Sequence, residues 1–588
     1  MIDENMKKAS NMKKIISLIL TSSLLVSATF SFTSCEKALE TKVYGQIVPE
    51  SFFQTEADLK AALTGMMIYI SGRGEGTDYG LWTSHWVAPR VYGLSMTDEL
   101  YRQPSSWSRW TWTPSHGAEG NGPGRPEDNW AVWQFNQKVA KITALLEDFK
   151  NCPVAESNPE LVEEYSKQLK GLRAFYMYTL YEFFGPVNTI IDPSKLNSTE
   201  YTPRMSDAEY RAAIESDYEA VFSSKLPDVQ VGDMHGYVSM DFFRMCAIRY
   251  YMATAQWAKA EALCRTILNS GRYSLITAPG ATVQTADVVG VAGGAAKFGP
   301  EYDYTYSPFE VAVNTCPNAE TIFSCPVNTN HGNIWITEIT NGSLYYFPGP
   351  SAGELTAAWN MGYTPWKHFH DLFGYEGDDS YDKDTRVRQF YIKGYNRRSG
   401  SLMVETPNEA AGELSMPGAA PYKFTNYKTA GHSGAEWQIE QPAYRLSDVY
   451  LYLAECIVRQ SGVNDEAKKL VADIRERAGL GRDLTFGLTR YYKELWGNDP
   501  TVSKDAFLHF ILWERGRELM GEGQRYEDLH RFMNKDGSHT MFVQRAYDLQ
   551  KISDMASNDY RNLMPIPHKI ILQSNGVLQQ NPGYPTTE

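Results

Sequence analysis

Residues 444–480 constrain the fold more than any other stretch of this sequence. The first half carries apolar residues at three- and four-residue steps, which places them on one helical face; these are Leu446, Val449, Tyr450, Leu453 and Ile457. Asn464 is a good N-cap for a second helix, and Gly479 stands where that helix would end. Two amphipathic helices with a short break between them predict an antiparallel helical hairpin.

A second stretch, residues 240–273, has the same organisation, with a short break near Gln256. Alanines recur at helical spacing around this break, which resembles a degenerate tetratricopeptide pattern. Apolar periodicity predicts further helices over residues 55–70, 129–146, 161–184, 210–222, 506–520 and 526–532. Two hairpins among these helices predict a mainly α scaffold of stacked helical pairs.

Helical periodicity is lost between residues 274 and 440, where tyrosines and tryptophans are frequent. A stretch this long without clear helices favours functional loops on a rigid scaffold. The proline-containing tail after residue 562 is predicted to be an extended wrap. The predicted regions are therefore a signal peptide at 1–34, an N-terminal helical region at 35–273, a loop-rich ligand-facing region at 274–440, and a C-terminal helical region with its tail at 441–588.

The N-terminus indicates export. Lys13 and Lys14 precede an apolar run over residues 15–26, which is too short and wrongly flanked for a membrane span. The run leads to FTSC at residues 32–35, which resembles a bacterial lipobox with phenylalanine in place of the usual leucine. We therefore expect Cys35 to carry a lipid anchor. Plain secretion, with Cys35 free or in a disulfide, stays open as the alternative.

Charge and cysteine usage exclude several classes of partner. The formal net charge of −14 disfavours nucleic acid, because phosphates attract basic surfaces. No CxxC pair occurs, so a cysteine-ligated metal is not expected. Cys316 and Cys325 flank a strand-like run and are a candidate disulfide, since export permits one. His368 and His370 stand in a predicted loop without a third ligand, and we expect no metal there.

Several motifs follow one another along the chain. They are TDE at 97–99, LRAFYMYTLYEFFGPV at 172–187, YRLSDVYLYLAEC at 444–456, IRERAGL at 474–480, WERGRELMGEGQRYEDL at 513–529 and RNLMPIPHKIILQSNGVLQQNPGY at 561–584. Together they resemble the signatures of the SusD/RagB family of outer-membrane lipoproteins, and the similarity extends over nearly the whole chain.

This resemblance implies a fold of four tetratricopeptide-type helix pairs that supports an irregular ligand-facing region. It implies lipid anchoring on the outer face of a Bacteroidetes outer membrane. The implied partner is a SusC-like TonB-dependent β-barrel transporter, and the implied ligand is an oligosaccharide that the protein captures for it. We expect no catalytic residue, cofactor or metal.

Sugar capture needs aromatic planes for the apolar ring faces and polar side chains for the hydroxyls, and each ring contact contributes on the order of 1 kcal/mol beyond its buried area. Aromatics in the non-periodic stretches are the stacking candidates, namely Trp82, Trp86, Trp107, Trp359, Tyr363 and Trp366. Arg90 and Asn360 are the candidate polar partners. For any one of these aromatics, packing in a core stays the alternative, because buried aromatics are common.

The charged residues of the sequence favour a structural role, and two alternative functions stay open. Glu514, Arg517 and Glu518 are predicted to form ion pairs on a helix surface. Peptide capture by a similar lid protein stays open, although the tryptophan-rich loops favour a glycan. A helical-barrel glycosidase also stays open, because the chain has 70 acidic residues among which a catalytic pair could occur. The family motifs favour binding over hydrolysis.

Overall fold

The computed structural model describes most of the helical scaffold and parts of the segments between its helices. The described residues are 53–71, 97–102, 132–280, 282–283, 304–326, 363–374, 381, 383–391, 420–421, 423, 440–550 and 555–585. Contacts along the chain group residues 1–54 into one unit and residues 55–588 into another, and the second unit holds nearly all of the described residues. The predicted region boundaries at 273 and 440 stay predictions.

The described part of the chain is mainly helical. Its α-helices are α1 (Glu56–Ser71), α2 (Phe135–Lys150), α3 (Pro153–Ser157), α4 (Pro159–Phe184), α5 (Asp207–Phe222), α6 (Met240–Ala253), α7 (Trp257–Asn269), α8 (Pro308–Asn314), α9 (Lys367–His370), α10 (Leu446–Ser461), α11 (Asp465–Arg477), α12 (Arg490–Trp496), α13 (Lys504–Leu519), α14 (Arg525–Arg531), α15 (Met541–Gln550) and α16 (His568–Gln573). Every helix predicted from periodicity is present. No described helix is both long and apolar enough to cross a bilayer.

Local signals set the helix boundaries. The Asn464 side chain accepts a hydrogen bond from the Ala467 backbone N–H at 2.9 Å, which caps α11 as its sequence predicts. Ser206 and Glu209 form a reciprocal capping box at the start of α5. The break between α6 and α7 falls at Ala255, whose φ of 57° interrupts the helix.

The helices pack as neighbouring pairs. In the first group, α4 packs against α1, α2 and α5. In the second, α6 packs against α7, and α10 lies against α7, α11 and α13. The predicted hairpins at 240–273 and 444–480 are therefore adjacent in space, since α7 contacts α10. This arrangement confirms the predicted mainly α, tetratricopeptide-like scaffold.

Short strands connect the segments between helices to this scaffold. They are β1 (Leu100–Arg102), β2 (Thr282–Val283), β3 (Tyr304–Thr305), β4 (Thr321–Cys325), β5 (Tyr363–Pro365), β6 (Phe390–Tyr391), β7 (Ala420–Pro421) and β8 (Gln441–Arg445). They form antiparallel pairs β1–β5, β2–β3, β4–β8 and β6–β7. Because β8 leads directly into α10, the β4–β8 pair ties residues 321–325 to the hairpin.

Three expectations need correction. Cys316 and Cys325 do not pair, because all six cysteines in the described residues are free thiols. Instead, the Cys316 Sγ donates to the Ala312 carbonyl at 3.5 Å. The tail is not wholly extended, since it contains a 3₁₀ turn at Ala556–Asn562 and helix α16. His368 and His370 lie in the short helix α9 rather than a loop.

The free cysteines generate a test of the fold. A chain that begins after Cys35 should release six titratable thiols per molecule when it is denatured without reductant. Burial raises the pKa of the Cys325 and Cys456 thiols, so these two should react slowly in the native state. Thiol titration before and after denaturation measures both quantities. A denatured count of four would show that one pair is oxidised and would contradict the structure.

Candidate functional site

The structure places only two of the predicted site residues. Cys35, Trp82, Trp86, Arg90, Trp107, Trp359 and Asn360 lie outside the described residues. The backbone of Tyr363 opens strand β5, while its side chain lies outside the described part. Trp366 follows that strand directly and is fully described.

Trp366 does not suit the role that its sequence position suggests. Its side chain is only 2% exposed, and its backbone N–H donates to the Glu99 carbonyl at 3.2 Å. A sugar can stack only on an exposed ring face, so the prediction of Trp366 as a stacking residue is wrong. The sequence shows that this tryptophan lies outside a periodic helix, but it does not show that the chain folds over it.

The β1–β5 ladder brings together two parts of the chain that are remote in sequence. Leu100 lies opposite Pro365, Tyr101 opposite Thr364, and Arg102 opposite Tyr363. Of the predicted stacking residues, Trp82, Trp86 and Trp107 belong to the first part, and Trp359, Tyr363 and Trp366 belong to the second. We refer to residues 82–112 and 359–366 as the aromatic segments. The ladder joins the aromatic segments at one place on the scaffold.

A buried ion pair holds the first strand of this ladder on the C-terminal helices. The Asp98 carboxylate accepts two hydrogen bonds from the Arg525 guanidinium, at 2.7 and 2.8 Å, and lies 3.4 Å from Arg545. Burial by itself raises the pKa of Asp98, but Arg525 and Arg545 outweigh it and lower the pKa to about 2. Burial raises the pKa of the neighbouring Glu99 well above its ordinary value. Asp98 is therefore an ionised anchor whose oxygens are occupied by arginine.

A larger set of buried charges surrounds helix α13, and we call it the ionic core. Its carboxylates are Glu320, Asp384, Glu514, Glu518 and Glu522, and its cations are Arg386, Lys423, Arg445, Arg475, Arg477 and Arg517. Every member is buried. Because each side chain has at least one partner of opposite charge, the cost of removing it from water is offset by pairing.

The contacts within the ionic core are short and multiple. Glu514 lies 2.9 Å from Arg386 and 2.5 Å from Arg475. Glu522 lies 2.8 Å from Arg445 and 2.6 Å from Lys423. Burial raises the pKa of Glu514, but the surrounding arginines lower it to about 2, so this carboxyl stays ionised.

The prediction of surface ion pairs on α13 is wrong. Glu514, Arg517 and Glu518 have 0% exposure. The three- and four-residue spacing that predicts a solvated helix face therefore marks a helix face that lies in the interior. The sequence does carry a signal of this burial. Residues 506–513, AFLHFILW, are apolar around almost the whole helix, which is typical of a helix enclosed on all sides.

The ionic core attaches otherwise irregular segments to the scaffold. Lys423 donates to the backbone carbonyls of Glu518 and Met520 at 3.1 and 2.8 Å. The Gln389 side chain donates to the Arg517 carbonyl at 2.7 Å. No periodic pattern in the sequence identifies Lys423 or Gln389 as a structural residue. These contacts position Gln389 and Lys423 against helix α13 and the residues that follow it.

The described residues offer no group of histidine, cysteine and carboxylate side chains that could hold a metal ion. Burial lowers the pKa of His368 well below its ordinary value. The two carboxylates that precede β1, Asp98 and Glu99, are buried, and both Asp98 oxygens accept hydrogen bonds from Arg525.

The Asp98–Arg525 pair should make the protein sensitive to acid. The folded pKa of about 2 lies below the ordinary value of 3.8, so its contribution to stability is complete above pH 4 and is lost as pH falls toward 2. Asp98→Asn should lower the free energy of unfolding at pH 7 by about 3 kcal/mol, because it leaves a buried arginine unpaired. About 2 kcal/mol of this difference should disappear as the pH falls from 4 toward 2.

Urea unfolding of both proteins across this pH range measures the difference. Asp465→Asn is the control, since Asp465 is a fully exposed carboxylate in the first turn of α11. A constant gap between Asp98→Asn and the unmodified chain at every pH would refute the ion pair as its cause.

Comparison with known proteins shows which family and which relative this chain resembles in sequence. Residues 320–584 match the model of the SusD family. SusD-like protein P2 from Formosa agariphila is 22% identical over 558 residues, which cover 93% of this chain and 96% of that protein. The motifs at 444–584 fall within the matched family region, whereas those at 97–99 and 172–187 precede it.

Solved structures extend the likeness to nearly the whole fold. Surface glycan-binding protein A from Bacteroides uniformis has a TM-score of 0.58 at 18% identity, covering 90% of this chain and 99% of its own. A laminarin binding SusD-like protein has a TM-score of 0.57 at 18% identity, covering 90% of this chain and 100% of its own. Residues 320–584 therefore match the SusD family in sequence, and nine-tenths of the chain has the fold of SusD-like structures.

Proposed function

We propose that this protein is a non-catalytic, surface-exposed glycan-binding lipoprotein. It captures oligosaccharides and delivers them to a SusC-like TonB-dependent transporter in the outer membrane. The observation that carries the proposal is the β1–β5 ladder, which joins the two aromatic segments on a scaffold held by buried ion pairs.

The direction of the two strands strengthens this argument. Because the strands are antiparallel, Arg102 and Tyr363 form the last pair at one end of the ladder. The sequence that leads to Trp107 continues from Arg102, and the sequence that contains Trp359 precedes Tyr363 at the same end. Trp107 follows Arg102 by five residues and Trp359 precedes Tyr363 by four, so extended chain limits their distances from the pair to about 18 Å and about 14 Å. Chain length therefore limits how far either tryptophan can lie from this end of the ladder.

The residue types in the aromatic segments suit a sugar. Tryptophan planes bind the apolar faces of pyranose rings, and each contact contributes on the order of 1 kcal/mol beyond its buried area. Trp82, Trp86 and Tyr363 supply further candidate planes, while Arg90 and Asn360 supply hydrogen bonds to hydroxyls. Two structural neighbours are named for glycan or laminarin binding, which supports the same ligand class for this chain.

The likeness to the SusD family and the N-terminal sequence support the proposed location and partner. The signal peptide and the lipobox-like FTSC sequence support a lipid anchor at Cys35, on the outer face of the outer membrane. A lipoprotein of this family in that position would cover the mouth of its transporter. Binding alone is sufficient for this role, since the transporter performs the translocation.

Calorimetric titration against a panel of polysaccharides and their oligosaccharides tests the ligand class. With the glycan that binds, Trp107→Ala and Trp359→Ala should each weaken affinity by about fivefold or more, because each removes one ring contact. Trp257→Ala is the matched control, since the Trp257 ring packs against the Arg459 guanidinium at 4.6 Å on the helical scaffold. Heat from peptides but from no glycan would refute the proposal in favour of peptide capture.

Fractionation of cells that produce the protein tests the anchor. Cys35→Ser should move the protein from the outer-membrane fraction to the soluble fraction, because the lipid attachment atom is lost. Cys152→Ser serves as the control, since Cys152 is a buried thiol of the helical scaffold. Unchanged membrane retention of Cys35→Ser would contradict lipidation at this residue.

A further inference from the structure

A second candidate binding site lies in the helical scaffold, separate from the β1–β5 ladder. It is an open cleft of about 1010 Å³ between α2, the segment 188–205 and α5, with Ile570 of α16 at its edge. Neither Tyr363 nor Trp366 is among the described residues that line it. Its volume falls at the upper end of the range of ligand pockets, about 300–1,000 Å³.

The walls of the cleft are fixed by side-chain hydrogen bonds to the backbone. Asn136 Nδ2 donates to the Asn188 carbonyl at 3.2 Å, and Thr143 Oγ1 donates to the Ile190 carbonyl at 2.8 Å. These two bonds hold residues 188–190 against helix α2. The cleft is therefore formed before any ligand arrives, and little ordering is needed for binding.

The opposite wall is fixed by Arg204. Its guanidinium donates to the Pro186 and Phe184 carbonyls at 2.7 and 2.8 Å and to Asn581 Oδ1 at 2.5 Å. This arginine is thus occupied by the protein itself and is unsuited to binding an anionic ligand.

Two further charged lining residues, Asp192 and Glu209, are also occupied by the protein itself. Asp192 accepts hydrogen bonds from the backbone N–H and hydroxyl of Ser194, at 3.0 and 2.8 Å. Glu209 is committed to the capping box of α5. Lys195 and Glu200 carry opposite charges, so the cleft has no strong preference for either sign.

Three neutral side chains of the lining are also available to a ligand. The side chains of Gln137, Thr199 and Thr202 line the cleft and have no hydrogen-bond partner among the described residues. Tyr201 is 37% exposed, and its hydroxyl donates to Gln573 Oε1 at 3.3 Å, which fixes the ring at the cleft. An anchored aromatic plane beside amides and hydroxyls is the chemistry that recognises a neutral saccharide.

We propose that this cleft is a second binding site for neutral oligosaccharides, with Tyr201 as its stacking plane. The ligand class rests on the proposed function, while the site is independent of the aromatic segments. A chain with two sites can hold one glycan at two points or hold two glycans, and either raises the effective concentration of ligand at the protein.

Hydrogen–deuterium exchange locates binding at each site separately. The probes are maltohexaose, laminarihexaose and xylohexaose at millimolar concentration, with the chain that begins after Cys35. At least one hexasaccharide should slow amide exchange in residues 188–205. Tyr201→Ala should weaken the affinity of the cleft by about fivefold, which corresponds to about 1 kcal/mol, and should reduce that protection accordingly.

Gln137→Ala is a second variant with the same expected direction, and it removes an exposed side chain rather than a ring. Tyr547→Ala is the matched control, because Tyr547 is 41% exposed on α15 and does not line the cleft. The control should leave exchange in residues 188–205 unchanged.

The pattern of protection distinguishes this inference from the proposed function. Protection of the aromatic segments alone would overturn the cleft and leave the proposed function intact. Protection of residues 188–205 alone would support the cleft and remove the aromatic segments as the primary site. Protection of residues 188–205 by an extended neutral peptide and by no hexasaccharide would overturn the saccharide assignment.

Discussion

Pairing of buried charges around α13 is the interaction on which the rest of this structure depends. Charges without partners in the interior cost several kcal/mol, so each guanidinium of the ionic core needs its carboxylate. The partners come from distant parts of the chain, as Glu320 with Arg477 and Arg386 with Glu514 show. If a segment left this core, it would carry one charge into solvent and leave the other charge buried without a partner. Charge pairing therefore holds the described residues Asp384, Arg386 and Lys423 to the helices.

The same principle connects the N-terminal helices to the C-terminal ones. Arg249 of α6 lies 2.6 Å from Glu527 of α14, and the Tyr178 hydroxyl of α4 donates to the same carboxylate at 3.0 Å. Asp98 reaches Arg525 at the start of α14. Helix α14 thus receives charge or hydrogen-bond contacts from three separate parts of the chain. The partners in these contacts, Arg525 and Glu527, both belong to the motif at 513–529.

Local features of this fold were predictable, and remote ones were not. The hairpins, the Asn464 cap and the break near Gln256 depend on residues within one turn of each other, so the sequence contains their whole cause. The β1–β5 ladder pairs three residues with three others far along the chain. Strands this short leave no periodic pattern in the sequence from which their pairing could be predicted. The burial of Trp366 at the candidate site was unpredictable for the same reason, because the exposure of a side chain depends on which remote residues pack over it.

The unpaired cysteines have a consequence for how such a protein matures. Six thiols lie within the described fold without a disulfide among them, and five of these are buried. Rigidity comes instead from arginine–carboxylate pairs, which form without any electron acceptor. The described fold therefore needs no disulfide bond, so an oxidising compartment is not a requirement for its folding.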